Sequence, residues 1–176
     1  MIFAQTSLEG VWLVDLERRV DERGFFARAY CADEFSEHGL PTGFPQCNLS
    51  YNVHRGTLRG LHYQADPHPE GKLVRCVRGA IFDVAVDLRV HSPTYHKWVG
   101  YELSAQNGRA MFIGPGFAHG FQTLEENTEV FYQMTERFQA GFARGYRWDD
   151  PTLGIVWPIQ SPTVSDRDSA LPLILK

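Results

Sequence analysis

The sequence predicts an all-β protein, a two-sheet sandwich or closed barrel with a few short helices, formed as one domain over residues 1–176. Short runs rich in β-branched and aromatic residues are separated by 16 glycines and 10 prolines that are spread along the chain. Most of these runs have one apolar face and one mixed face, which is typical of strands buried on one side. Periodicity favours a closed barrel whose polar residues line a cavity only slightly over an open sheet with a solvated face.

The clearest predicted strand covers residues 81–89, in which Phe82, Val84, Val86 and Leu88 point to one side and the residues between them to the other. The other predicted strands cover residues 10–16, 25–30, 57–63, 72–78, 97–103, 110–113, 120–123 and 128–135. Two short helices complete the prediction. One spans 32–38 before a terminating glycine, and the other runs from a capping serine at 165 to residue 170.

Composition narrows the classes of protein to consider. The net charge of -4 argues against a general nucleic-acid binder, which is normally basic. No apolar run approaches the roughly 20 residues of a membrane span, and residues 1–10 do not resemble an export signal. The three cysteines form neither a disulfide framework nor a CxxC pair, so we expect a cytoplasmic protein.

Residue types suited to chemistry concentrate in four segments, at 59–64, 71–75, 114–121 and 129–132. The first and third contain His62 and His119, each close to glycines, while Lys72 and Tyr132 lie on neighbouring predicted strands. Taken alone, each of these residues is more often structural than catalytic. Their combination in a strand-rich chain is what indicates a functional cavity.

The two histidine segments are similar to the two sequence motifs of cupins. A metal-binding cupin has a His-x-His pair and a glutamate in its first motif, whereas this chain has Gln64 two residues after His62. His68 and Glu70 follow in a proline-rich turn, but three ligands must converge to hold iron or zinc. We therefore expect no catalytic metal and no organic cofactor.

A more specific resemblance is to the dTDP-4-dehydrorhamnose 3,5-epimerase family. The matching segments are collinear and span about residues 12 to 168: DERGFF (21–26), LRGLHYQ (58–64), GKLVRC (71–76), FDVAVD (82–87), SPT (92–94), GFAHGF (116–121), WDDP (148–151) and SDRD (165–168). The resemblance implies a cupin fold, a double-stranded β-helix or jelly-roll barrel. It also implies an isomerase that inverts C3 and C5 of a dTDP-4-keto-6-deoxyhexose in the biosynthesis of an L-rhamnose-type sugar.

The resemblance assigns catalytic roles to four residues. His62 is implied to be the base that removes a proton beside the ketone, and Asp168 to hold and charge its imidazole. Lys72 is implied to stabilise the enolate oxygen, and Tyr132 to return a proton to the opposite face. These roles agree with general chemistry, because free histidine titrates near ~6.5 and a carboxylate on its far nitrogen selects the tautomer.

Further residues are implied to bind the substrate. Arg23 and Arg59 match phosphate contacts, and a guanidinium can donate two hydrogen bonds to one phosphate. The remaining implied contacts are two rings that pack on the nucleotide base, a Gln-x-Asn segment, and a second histidine with a supporting aspartate: Phe26, Phe138, Gln46, Asn48, His119 and Asp83. Relatives form homodimers that exchange an N-terminal strand, so Arg23 and Phe26 are candidates for the partner's site.

Several alternatives stay open at the level of sequence. Ala27-Arg28 stands where many relatives carry a glutamate that reads the base, and Phe138 stands where many carry tyrosine. These differences leave recognition of thymine open. The family that the chain resembles also includes enzymes that invert C3 or C5 alone and enzymes that act on other nucleotide sugars, so these remain alternatives. A cupin that binds a nucleotide sugar without catalysis is a second hypothesis, and a metal-dependent cupin isomerase or dioxygenase is a third.

Overall fold

Two antiparallel sheets dominate the computed structural model, which describes residues 1–174 and leaves 175 and 176 outside. The six-stranded sheet has the order β1 (Ile2–Gln5), β2 (Val11–Asp15), β10 (Ala110–Ile113), β7 (Lys72–Arg78), β12 (Thr128–Met134), β5 (Gln46–Asn52). The five-stranded sheet has the order β13 (Ala143–Gly145), β6 (Leu58–Gln64), β11 (Phe117–Thr123), β8 (Ala80–Asp87), β9 (Trp98–Ser104). Strands β3 (Arg19–Asp21) and β4 (Gly24–Phe26) form a separate hairpin.

The main apolar core lies between the two sheets. Val74 and Met111 of the six-stranded sheet pack with Ile81, Ala85 and Leu103 of the five-stranded sheet, and all are buried. This arrangement is the cupin-type β-barrel, in which strand alternation directs one set of side chains inward. The interior is therefore available both for a core and for polar residues that line a cavity.

The outer face of the five-stranded sheet is also covered. Val84 and Val86 of β8 point away from the main core and pack in a second cluster with Leu153, Trp157 and Ile174. The alternation that defined this strand in the sequence is confirmed, but both of its faces are buried. The C-terminal third of the chain thus packs against the strands that carry the histidines.

Both predicted helices are present. Helix α1 covers Ala32–Glu37, and helix α2 covers Asp166–Ser169 with Ser165 as its N-cap. The Ser165 hydroxyl accepts a hydrogen bond from the Asp168 N–H at 3.1 Å, as an N-cap residue does. A single turn of 3₁₀-helix covers Ala140–Phe142.

Most predicted strands are confirmed to within a few residues at their ends, but 25–30 is wrong beyond Phe26, where β4 ends. Four strands were missed: β1, β3, β5 and β13. Strand β5 reads Gln-Cys-Asn-Leu-Ser-Tyr-Asn and lies at a sheet edge with four of its seven residues exposed, so it has no apolar period to detect. Strands β3 and β13 have three residues each, too few to show alternation.

Within residues 1–174, no helix combines the length and the apolar character needed to cross a membrane. The three cysteines are free thiols: Cys76 is buried, Cys31 is partly buried and Cys47 is exposed.

Candidate active site

A cavity of about 340 Å³ lies between the two sheets. Its walls come from β5, β7 and β12 on one side and from β6, β11 and β13 on the other. Eighteen of the described residues line it: Gln46, Asn48, Leu49, Ser50, Arg59, His62, Tyr63, Gln64, Glu70, Lys72, His119, Phe121, Tyr132, Met134, Phe138, Ala143, Arg144 and Arg167.

His62 lies on the five-stranded wall and is paired with Asp168. Its Nε2 lies 2.8 Å from Asp168 Oδ1, and the second carboxylate oxygen accepts the Gly60 N–H at 3.1 Å. An ionised carboxylate can only accept, so in the neutral imidazole Nε2 carries the hydrogen and Nδ1 keeps its lone pair. The His62 ring nitrogen that Asp168 does not contact is thus Nδ1.

Asp168 is held in its charged form. Burial raises the pKa of its carboxyl, but the hydrogen bond from His62, the charge of that ring and the Gly60 N–H outweigh burial, so the pKa lies below its usual value. Helix α2, capped by Ser165, brings this carboxylate to His62, which lies 106 residues earlier in the chain. The charged carboxylate is therefore a hydrogen-bond acceptor for the His62 ring.

Lys72 begins β7 on the opposite wall, and its ammonium is almost completely buried. The side chain is 6% exposed, and Nζ donates to Glu70 Oε1 at 2.9 Å. Glu70 is 10% exposed and also lines the cavity. The site therefore contains a buried, paired ammonium that faces the space enclosed by the two sheets.

Tyr132 lies on β12 of the six-stranded sheet, across the cavity from the sheet that carries His62. Its ring packs edge-on against His119 with centroids 6.1 Å apart. Burial, and after it the charge of Asp83, raises the pKa of the Tyr132 phenol well above its usual value. The phenol is thus protonated at neutral pH and can act as a proton donor.

His119 forms a second His–Asp pair deeper in the barrel. Its Nε2 lies 2.6 Å from Asp83 Oδ1, and both residues are buried. Since Asp83 Oδ2 has no hydrogen-bond partner among residues 1–174, this carboxylate is less fully satisfied than Asp168. Strands β6 and β11 pair His62 with His119 directly, so the two histidines occupy adjacent positions on one wall.

Three arginines line the cavity: Arg59, Arg144 and Arg167. Arg59 Nε donates to Asn52 Oδ1 at 2.7 Å, and Arg144 Nη1 donates to two backbone carbonyls at 2.9 Å. In the described part of the chain, none of the three forms an ion pair with a carboxylate. Their positive charge is therefore available to an anionic ligand.

The Gln-x-Asn segment and Phe138 meet at the same cavity. Gln46 Nε2 donates to Asn48 Oδ1 at 3.1 Å, and Gln46 Oε1 accepts the Phe138 N–H at 3.0 Å. Gln64 holds the neighbouring backbone, donating to the Arg137 carbonyl at 3.2 Å and accepting the Gln139 N–H at 2.7 Å. Gln64, which replaces a metal ligand in the cupin pattern, thus anchors the segment that presents the Phe138 ring.

The structure does not bring Arg23 and Phe26 to this cavity. Both belong to the β3–β4 hairpin, where Arg23 is 84% exposed in its side chain and pairs with Asp21 at 2.6 Å. Phe26 is 73% exposed and lines a different surface depression. The other predicted site residues line the central cavity or, as Asp168 and Asp83 do, lie directly behind a histidine.

Sequence reasoning did not assign several residues that line the cavity. Glu70 was considered only as a possible metal ligand, although it lies two residues before Lys72 and extended chain directs both side chains to one side. Arg167 precedes Asp168 in the SDRD segment, so its neighbourhood was a usable signal. Arg144 lies on the undetected strand β13, and no pattern in the sequence pointed to it.

Among residues 1–174, no group of three histidine, cysteine, aspartate or glutamate side chains is placed to hold a metal ion.

The fold and the cavity define a class: a cupin-type barrel with a His–Asp pair on one wall and a phenol and an ammonium on the other. A family model described as dTDP-4-dehydrorhamnose 3,5-epimerase matches residues 5–176. The chain belongs to the dTDP-4-dehydrorhamnose 3,5-epimerase family, a family of isomerases.

Individual relatives agree with this assignment. A dTDP-4-dehydrorhamnose 3,5-epimerase of Sinorhizobium fredii is 45% identical over 98% of this chain and 89% of its own length. A dTDP-4-dehydrorhamnose 3-epimerase of Streptomyces niveus is 41% identical over 92% of this chain and 78% of its own. The crystal structure of a 3,5-epimerase from Bacillus anthracis with TDP and PPi bound has a TM-score of 0.96 and 42% identity, covering 98% of this chain and 99% of that one.

Proposed function

We propose that this chain epimerises a dTDP-4-keto-6-deoxyhexose at C3 and C5, in the biosynthesis of an L-rhamnose-type sugar. The observation that carries the proposal is the placement of a base, His62, and an acid, Tyr132, on facing walls of one cavity. A group that acted from one side alone would return each proton to the face it left. Inversion needs two faces, and the two sheets supply them.

Removal of the proton is assigned to His62. C3 and C5 both flank the C4 ketone, so loss of either proton leaves an enolate rather than an isolated carbanion. The Nδ1 lone pair of His62 accepts the proton, and Asp168 stabilises the resulting imidazolium through its hydrogen bond to Nε2.

Stabilisation of the enolate oxygen is assigned to Lys72. Negative charge that develops on this oxygen needs a donor in a site with little water, and the Lys72 ammonium is buried and paired with Glu70. A single donor of this kind typically contributes about 10²–10³ in rate.

Tyr132 is assigned to return a proton to the opposite face of the carbon. Its raised pKa keeps the phenol protonated at neutral pH, and the phenolate left after donation regains a proton from water. His62 loses its extra proton to water in the same way, so each inverted centre ends with both residues in their starting states. No net redox change occurs.

The cationic residues support binding of the nucleotide diphosphate. Arg59 and Arg167, which line the same cavity, are assigned to the phosphates, because neither has a carboxylate partner in the described chain. Phe138 is assigned to the base, with Gln46 and Asn48 as hydrogen-bonding residues and His119, supported by Asp83, at the sugar. The TDP bound to the relative from Bacillus anthracis agrees with this ligand class.

We further propose a homodimer in which the β3–β4 hairpin completes the partner's site. Three large apolar residues of this hairpin, Val20, Phe25 and Phe26, are exposed, which is unusual for a hairpin that remains in water. Arg23 and Phe26 would then reach a phosphate and a base in the other subunit. The free thiols are consistent with the reducing cytoplasm as the place where this enzyme acts.

Subunit complementation tests the exchanged hairpin. Arg23→Ala chains and His62→Asn chains would be dissociated, mixed and reassociated, and their activity compared with that of each variant alone. A mixed dimer contains one site with an intact His62 and an intact Arg23. Since about half of the dimers are mixed after equal amounts reassociate, about a quarter of all sites should regain activity. Activity that stays at the sum of the two separate variants would contradict the exchange.

A second candidate is an epimerase that inverts C3 alone. It is favoured by the 41% identity to the 3-epimerase of Streptomyces niveus. The two candidates differ in the reach of the catalytic pair across the ring, not in the kind of chemistry.

Hydrogen exchange distinguishes these candidates and tests the proposed function. The purified chain would be incubated with dTDP-4-keto-6-deoxyglucose in deuterated water, and deuterium located by NMR. We expect incorporation at both C3 and C5 with formation of the inverted product, whereas incorporation at C3 alone would identify the second candidate. Tight binding without exchange, here and with other 4-keto nucleotide sugars, would leave only the non-catalytic hypothesis.

A further inference from the structure

We propose that Glu70 is a positioning residue of this enzyme, which keeps the Lys72 ammonium charged and directed into the cavity. The inference rests on the proposed function, in which Lys72 stabilises the enolate. It adds a residue that the catalytic assignment by resemblance did not include.

The contact between the two side chains is direct and shielded from water. Lys72 Nζ lies 2.9 Å from Glu70 Oε1, with 6% and 10% of the two side chains exposed. Surface ion pairs contribute little, but an ammonium this deeply buried would be strongly destabilised without a negative partner. Glu70 is the only acidic residue among the described residues that line the cavity.

The backbone between the two residues is fixed. The Gly71 N–H donates to Thr135 Oγ1 at 2.7 Å, and the Thr135 N–H donates to the Gly71 carbonyl at 2.9 Å. A Cβ at Gly71 would lie 3.1 Å from the Ile113 carbonyl oxygen, so the chain here packs tightly between two strands. Glu70 and Lys72 are therefore held on the same side of a clamped segment.

The charge on Lys72 matters because the proposed reaction needs an ammonium and not an amine. Burial favours the neutral form of a lysine, and a carboxylate at hydrogen-bond distance favours the charged form. An ammonium has three N–H donors, of which Glu70 uses one. Two donors remain for the ketone oxygen as it becomes an enolate.

Lysine NMR tests this directly and without turnover. The chain has three lysines, Lys72, Lys97 and Lys176, so the Lys72 Nζ signal of ¹⁵N-lysine-labelled protein is assigned by its loss in Lys72→Met. In Glu70→Gln, which keeps size and removes charge, we expect Lys72 to lose its proton at a pH lower by about 1–3 units than in the unchanged protein. Glu70→Asp, which keeps the charge, should restore most of this difference.

Glu129→Gln is a matched control. Glu129 also pairs with a basic residue, Arg78, at 3.9 Å on a neighbouring strand, but it does not line the cavity. This variant should leave the Lys72 titration unchanged. A titration in Glu70→Gln that equals those of the unchanged protein and the control would overturn the inference, whether or not the chain is an epimerase.

Exchange rates show whether the charge matters to the reaction. In deuterated water at pH 9, Glu70→Gln should lower the exchange rate roughly tenfold or more, with a smaller loss at pH 7. In a Lys72→Met background the same substitution should have no further effect, because Glu70 acts through Lys72. Losses that simply add in the double variant would show that Glu70 does not act through Lys72.

A chain that shows no exchange before any substitution would instead contradict the proposed function, leaving the NMR titration to decide the role of Glu70.

Discussion

The imidazole of His62 illustrates how two neighbours determine the chemistry of one residue. Asp168 binds Nε2 and the Gly60 N–H binds the other oxygen of Asp168, so the carboxylate cannot rotate away from the ring. The pKa of Asp168 remains low despite burial, so the group stays an acceptor throughout neutral pH. The free lone pair at Nδ1 follows from this arrangement rather than from His62 alone.

Replacement of Asp168 by asparagine tests that dependence. The asparagine side chain can present its NH₂ group to Nε2, which then becomes the acceptor and moves the hydrogen to Nδ1. We expect the exchange rate to fall by about 10⁴, the size of effect known for the corresponding substitution in a Ser-His-Asp triad. Rates would be measured by deuterium incorporation, with TDP binding as the check that the site is intact. A rate within a few-fold of the unchanged protein would exclude the tautomer argument.

Replacement of His62 by asparagine removes the proposed base itself. Because Asp168 lies behind the ring and does not line the cavity, it does not substitute as a base. Loss of a general base typically costs about 10²–10⁴ in rate, which is the loss we expect in the same exchange assay. Full exchange in this variant would mean that another group removes the proton.

The residue types of the site were predictable from the sequence, whereas the His62–Asp168 contact was expected only from the family resemblance and from no local pattern. His62 and Asp168 are 106 residues apart, and their pairing depends on α2 reaching β6. Gln64 is a clear case: its sequence position suggested only the absence of a metal ligand. In the structure it bonds the backbone of residues 137 and 139, which no local pattern could reveal.

Strands β6 and β11 approach each other more closely than side chains permit. A Cβ at Gly60 would lie 2.6 Å from the Gly120 Cα and 2.8 Å from the His119 carbonyl oxygen, and φ at Gly60 is +124°. The two glycines flank the segments that carry His62 and His119. Their lack of side chains therefore sets the spacing of the histidine-bearing wall.

Gly60→Ala tests the importance of this approach. Alanine at Gly60 would push the strands apart and adopt an unfavourable backbone angle, so we expect a loss of at least about 2 kcal/mol in unfolding free energy together with weaker exchange activity. The control is Gly43→Ala, where nothing lies within 4 Å of the added Cβ. Denaturant unfolding of both variants gives the comparison, and equal stabilities would show that the strands can separate freely.

Asp87 at the end of β8 organises the loop that follows. Its carboxylate accepts hydrogen bonds from Arg89 Nε at 2.9 Å, Ser92 Oγ at 2.6 Å and Thr94 Oγ1 at 2.7 Å. Burial raises the pKa of Asp87, but these three bonds lower it far more, and the net pKa is well below its usual value. The SPT segment noted in the sequence thus serves to bind this buried carboxylate.

The lowered pKa of Asp87 predicts how stability depends on pH. A carboxyl group whose pKa is lower in the folded state stabilises that state at pH values above its unfolded pKa of ~3.9. This contribution declines as the pH falls from ~3.9 toward the folded-state pKa. Asp87→Asn should therefore lower the unfolding free energy at pH 7 by about 2–3 kcal/mol and show a smaller acid dependence below pH 4. Thermal melts of both proteins from pH 7 to pH 3 check this, and parallel curves would contradict it.

Edge and hairpin strands were the elements least visible in the sequence. Strand β8 was clear because its faces alternate, whereas β5 carries polar residues on an exposed sheet edge, where it pairs with β12. Yet β5 supplies Gln46 and Asn48 to the cavity. A strand that serves binding rather than packing has no need of the apolar period by which strands are recognised.

At the scale of the whole molecule, the barrel separates the proposed base from the proposed acid. The five-stranded sheet carries His62, and the six-stranded sheet carries Tyr132 and Lys72. A sugar ring between the sheets would present one face to each wall. The class of fold could be predicted from the sequence and its collinear motifs. The placement of His62 and Tyr132 on different walls could not, because it depends on how the two sheets close, which the periodicity of the strands left open.

The most direct test of this two-sided geometry is position-resolved deuterium exchange in Tyr132→Phe. The variant keeps the ring that packs on His119 and removes the hydroxyl, so His62 can still remove and return a proton on its own face. We expect deuterium to enter the substrate beside the ketone while the configuration stays unchanged. Inversion at the rate of the unchanged protein would contradict the assignment of base and acid to opposite walls.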